Sequence, residues 1–102
     1  MINRVWHGWT TRANANSYEK FLHAEMLPGM HRVKGFKGAT LLRRDAGDEI
    51  EFVTITLFDS IEAVKGFAGE DYEVAVVLRE ARKLLTHFDA RSLHYDTVFE
   101  IE

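Results

Sequence analysis

Three rings crowd one short stretch, Arg4-Val5-Trp6-His7-Gly8-Trp9-Thr10-Thr11, and His7 is the one among them able to move a proton. A neutral imidazole between two indoles in an apolar pocket could take a proton from a phenol or a hydroquinone. The alternative is a sheet histidine bonded to a neighbour or exposed at an edge. Trp6 and Trp9 fall on opposite sides of an extended strand, so at most one of them can line a given pocket. Each can pack a core or an interface, and an indole wall also suits a flat aromatic ligand. Farther along, Phe67 and Tyr72 sit close together in sequence. The Tyr72 hydroxyl could orient a ligand, or the ring could simply pack at the surface.

Other chemically capable residues form no set. His94 and Tyr95 are neighbours on an extended segment and so face opposite ways. Arg43 and Arg44 could balance a ligand carboxylate or phenolate, but beside Asp45 and Asp48 they also suit a solvated hairpin end. His23, His31 and His87 lack metal-ligand spacing, so no metal site is expected. The chain has no cysteine, which removes thiol nucleophiles, disulfides and thiolate metal sites together. Gly35, Gly38, Gly66 and Gly69 lack the strand-to-helix context of a phosphate loop.

With 102 residues, the chain reads as one domain spanning 1–102. Thirteen Lys and Arg against sixteen Asp and Glu leave a net charge of −3, which offers neither nucleic acid nor an anionic membrane a basic surface. Absence of a long apolar run points to a soluble, cytoplasmic protein.

These residues must be positioned by elements that the patterning suggests. Residues 2–11 alternate as a strand. Asn16 with Glu19 forms a capping box for a helix carrying Tyr18, Phe21, Leu22 and Met26, which Pro28-Gly29 should kink or end. Phe36 to Arg44 and Glu49 to Phe58 read as a hairpin. Asp59 with Glu62 opens a short helix through Ala68, stopped by Gly69. From Asp71, apolar residues at 74, 77, 78, 81, 84, 85 and 88 spell a longer amphipathic helix. Residues 91–101 close as a strand. The order β-α-β-β-α-α-β predicts an α+β, ferredoxin-like four-stranded antiparallel sheet with helices on one face. Neither face of the strands is charged, so the bare face predicts sheet-to-sheet pairing of two copies, a homodimer.

The runs Glu51-Phe52-Val53-Thr54-Ile55-Thr56-Leu57-Phe58-Asp59-Ser60 through Glu73, Gly35-Phe36-Lys37-Gly38-Ala39-Thr40 through Arg44, and His94-Tyr95-Asp96-Thr97-Val98-Phe99-Glu100 resemble the antibiotic biosynthesis monooxygenase family over nearly the whole chain. That resemblance implies a dimeric α+β barrel. It also implies one of several activities, among them cofactor-independent oxygenation of aromatic polyketides, quinol oxygenation and haem degradation. The haem-degrading branch uses an Asn in the first strand, a Trp on the second helix and an iron-ligating His on the third. Here Trp6-His7-Gly8, Phe67 and Val74-Ala75-Val76-Val77 occupy those places, so the resemblance does not extend to haem chemistry.

The expectation is therefore a small homodimeric monooxygenase without cofactor, acting on an aromatic, phenolic or quinone-like molecule. His7 would be its base, provided that side of the strand faces the helices, and Trp6 or Trp9, Phe67 and Tyr72 would line its pocket. Its partners would be a second copy and the aromatic ligand. The second reading is a non-catalytic dimeric small-ligand-binding or accessory domain on the same fold.

Overall fold

Strand β1 (Ile2–Thr11) runs through the middle of one antiparallel sheet, and a computed structural model describes it with the rest of residues 1–102, apart from the side chain of Leu27. It pairs along its length with β3 (Glu49–Phe58), which pairs in turn with β2 (Phe36–Ala46). The other edge of β1 takes two short strands end to end. β5 (Leu93–Asp96) covers Ile2 to Val5, and β4 (Leu85–Phe88) covers Gly8 to Thr10. Five strands thus fill the width of four, with the outer strand broken at residues 89–92.

Helices cover one face, giving the ferredoxin-like α+β arrangement expected. Helix α1 (Ala15–Phe21) passes through a π-helical turn (Leu22–Met26) into α2 (Leu27–Met30). The widened turn precedes Pro28, whose ring has no N–H and crowds the carbonyl four residues earlier. The cap position of α1 is Asn14 rather than Asn16, and its side chain makes no capping bond. Helix α3 (Ile61–Ala68) is capped by Ser60, whose Oγ accepts from the Ala63 N–H at 3.1 Å. That cap corrects the expectation of Asp59 by one residue.

The helix expected from Asp71 is the main correction. Only α4 (Arg79–Leu84) is helical. Residues 74–78 are irregular, anchored by a Val74–Arg91 bridge, by Ala75 N–H to Ala90 O at 2.9 Å and by Ser92 N–H to Glu73 O at 2.6 Å. Residues 85–88 join the sheet instead of ending the helix. The closing strand is correspondingly shorter than residues 91–101. Among the described residues no helix is long and apolar enough to cross a membrane.

The covered face has an apolar core at each end. Tyr18, Leu22, Ile50 and Phe52 with Ala15 and Ala81 form one cluster, and Met30, Phe58, Ala63 and Val64 form the other. Register places Ile2, Arg4, Trp6, Gly8 and Thr10 on this face opposite Phe58, Thr56, Thr54, Phe52 and Ile50. Gly8 is required here because the Trp6 indole lies across it. A Cβ at Gly8 would stand 2.8 Å from Trp6 Cη2 and 3.0 Å from Leu85 Cδ2. Gly8→Ala should therefore destabilise the fold by about 1–3 kcal/mol through overpacking, read as a lowered Tm in thermal denaturation.

Candidate functional site

Between the two apolar clusters, the covered face opens into a small inner chamber. Its volume is about 40 Å³, room for roughly three water-sized groups. Arg4, Thr54, Thr56 and Ser92 bring polar atoms to it, and Trp6, Tyr18, Phe21 and Phe67 supply aromatic wall. A larger vestibule of about 300 Å³, lined by Glu25, Met30 and Val33 among others, shares Met26, Phe67, Val76 and Leu78 with the chamber. The two spaces thus adjoin through shared apolar wall, and the polar atoms are concentrated in the smaller one.

Arg4 is the unusual member of this set. Its side chain springs from the middle of the sheet, and the residue is only 4% exposed. Nη1 donates to the Tyr72 carbonyl and, at 3.0 Å, to His94 Nε2; Nη2 donates to the Val74 carbonyl at 3.0 Å. The guanidinium also lies over the Phe67 ring, 5.6 Å from its centroid, a favourable cation–π placement. Among the described residues no carboxylate pairs with it. Burial pushes its pKa down to about 10, which leaves the cation intact at neutral pH.

Because arginine can only donate, His94 Nε2 must accept, and the ring is neutral with its proton on Nδ1. That Nδ1 is buried without a partner. Burial, and secondarily the Arg4 charge, hold the His94 pKa below its ordinary value. The Tyr18 phenol, 1% exposed, is pushed strongly upward by burial and stays protonated.

Two of the residues expected to line a pocket, Trp6 and Phe67, border this chamber. Trp6 is fixed by its Nε1–H bond to the Asp89 carbonyl at 2.7 Å. Tyr72 is adjacent but contributes its main-chain oxygen to Arg4, while its ring meets His94 edge-on at 5.0 Å. Trp9 lies on the uncovered face, stacked on His87 at 4.3 Å. His7 is on that face as well, since it pairs with Val53 and alternates with Trp6. Its Nδ1 is 3.0 Å from Asp89 Oδ2. The condition attached to His7 as base, that it face the helices, is not met. Sequence reasoning passed over Arg4, Tyr18, Thr54 and Ser92. The available signal was Arg4 itself, a charge in the same alternating set as Trp6 and Gly8.

No family model and no curated protein matches the chain. Solved structures do. A protein from Bacillus cereus described as a candidate antibiotic biosynthesis monooxygenase is 14% identical, with a TM-score of 0.71 over 100% of this chain and 95% of that one. MhuD from Mycobacterium tuberculosis, a haem degrader with two haems in its active site, is 19% identical, with a TM-score of 0.65 over 100% of both chains. A MhuD variant with two manganese protoporphyrins per active site is 22% identical, with a TM-score of 0.66 over 100% of this chain and 99% of that one. The chain therefore has the antibiotic-biosynthesis-monooxygenase-like fold.

Haem can be tested against the residues present, and they do not fit it. Among the described residues no imidazole or thiolate lines the chamber or the vestibule, and Tyr18 is held away from the phenolate that could bind iron.

Unfolded, His94 takes up a proton near 6.5; folded, it does so only at lower pH. Its contribution to stability is thus complete above that value and falls as pH drops below it. Thermal denaturation from about pH 7 to about pH 5 should show a falling Tm, with a shallower slope for His94→Gln, whose amide oxygen can accept from Arg4 without titrating.

Proposed function

We propose that this chain is a small homodimeric monooxygenase that works without a cofactor on an aromatic, phenolic or quinone-like molecule in the cytoplasm. One observation carries the reading: an aromatic-walled cavity with a polar inner end, enclosed between sheet and helices of a monooxygenase-like fold. In the balanced reaction, a phenol and dioxygen give a quinone and water. One oxygen atom enters the ring, the other leaves as water, and the substrate itself supplies all four electrons. The protein's tasks are then to orient the ring, exclude bulk water and receive the phenolic proton. His7 lies outside this cavity, and Glu25 is the titratable side chain of the vestibule among the described residues. We assign the proton to Glu25.

The homodimer rests on the uncovered face. Val5, Val53, Ile55 and Leu57 share it with the exposed Leu42, Leu93 and Tyr95. A second sheet packed on this face would remove an apolar patch that a monomer leaves in water. A non-catalytic ligand-binding domain is the second reading, favoured by the want of an imidazole in the cavity.

An oxygen electrode and a panel of phenols, hydroquinones and polyketide-like aromatics decide between them. The oxygenase reading expects uptake of one O₂ per quinone formed, and Glu25→Gln to lower turnover about tenfold or more. Binding without uptake favours the second reading, and neither binding nor uptake sinks both. Light scattering tests the assembly separately. The wild type should have about twice the 11.8 kDa chain mass, and Val53→Arg should run as a monomer.

A further inference from the structure

We infer that the inner chamber is a carboxylate-binding subsite, so that the substrate of the reaction proposed above is an aromatic acid held with its carboxylate against Arg4 and its ring in the vestibule. The inference rests on that reading of the cavity and adds the substrate's charge and orientation.

The first ground is the unbalanced charge. Buried cations in proteins are ordinarily matched by an anion, yet Arg4 is 4% exposed and has none among the described residues. Glu73, whose field reaches His94, is itself bonded to Arg91 at 3.3 Å. Neutral acceptors take both hydrogens of Nη1 and one of Nη2. Among the described residues Nε–H and the second Nη2 hydrogen have no protein partner. Those two neighbouring nitrogens form the edge from which a guanidinium grips a carboxylate with two parallel hydrogen bonds.

The second ground is independent of Arg4. Tyr18 and Ser92, each 1% exposed, line the same chamber. Neither of their hydroxyls, nor that of Thr54 beside them, makes a hydrogen bond among the described residues. Hydroxyls in such a site are normally satisfied by protein or by small guests such as water. Here the hydroxyls of Tyr18, Ser92 and the partly buried Thr54, none of them committed to a protein partner among the described residues, stay open to a small guest around one space, and a carboxylate can accept about four hydrogen bonds. The chamber's volume of about 40 Å³ suits a group of three heavy atoms, whereas the vestibule's 300 Å³ or so suits a ring.

Isothermal titration of the full chain with 2-naphthoate and with its uncharged near-isostere 2-naphthamide tests this at neutral pH. The acid should bind about tenfold or more tightly than the amide. Arg4→Gln should abolish that preference while amide binding persists. Should Arg4→Gln fail to fold, the double variant Thr54→Val with Ser92→Ala should weaken naphthoate several-fold and leave naphthamide unchanged. Equal binding of acid and amide would overturn the carboxylate subsite and leave the cavity reading standing. A preference that survives Arg4→Gln would overturn the subsite too. Binding of neither compound would overturn both.

Discussion

A guanidinium buried in the middle of a sheet is the constraint around which this chain is arranged. Arg4 occupies a position on the covered face of β1 where a neutral side chain would pack without demands. Its hydrogens need acceptors, and the chain supplies main-chain carbonyls from Tyr72 and Val74 together with the His94 ring. Carbonyls within a helix are already committed to N–H groups four residues on. A segment that gives its carbonyls to Arg4 therefore cannot also be regular helix. The irregular path of residues 74–78 and the late start of α4 at Arg79 follow from this demand.

The same demand explains where sequence patterning succeeds and fails. The hairpin of β2 and β3 and the helix after Ser60 depend on local alternation and capping, and both are readable from neighbouring residues. The apolar spacing from Val74 to Phe88 satisfies a helical period equally well. What excludes the helix is a side chain some seventy positions away, with acceptor needs that no local window registers. His7 was ambiguous for a related reason. Both faces of β1 carry rings, so apolarity could not say which face lies under the helices. Trp6 and Phe67 were legible as aromatic wall, while Tyr72 matters through its backbone, which no residue type advertises.

Folding the polar end of the cavity around Arg4 has an electrostatic consequence. The neutral acceptors satisfy hydrogen bonds but leave the charge unneutralised, and the Phe67 face offsets it only in part. A cation kept in a site of low polarity is poised for an anion, because the cost of desolvating it is already met by the fold. The lowered His94 pKa is the counterpart of this arrangement. Burial first, and repulsion by Arg4 second, disfavour another positive charge there, so the ring serves as acceptor.

Asp89 links this chamber to the opposite face of the sheet. It stands at the break between β4 and β5, where an unbroken strand would have spent its backbone on a regular ladder. Its N–H donates to the His7 carbonyl at 2.9 Å, its carbonyl accepts the Trp6 indole at 2.7 Å, and its carboxylate takes His7 Nδ1 at 3.0 Å. One residue thereby holds the chamber wall on one side and the imidazole on the other. The break also frees Ser92, three residues on, to enter the chamber. Gly8 completes the device by leaving room for the indole. The stretch of rings at the start of the chain is thus divided by β1 itself: Trp6 belongs to the cavity, His7 and Trp9 to the uncovered face, and the interrupted outer strand holds each half in place.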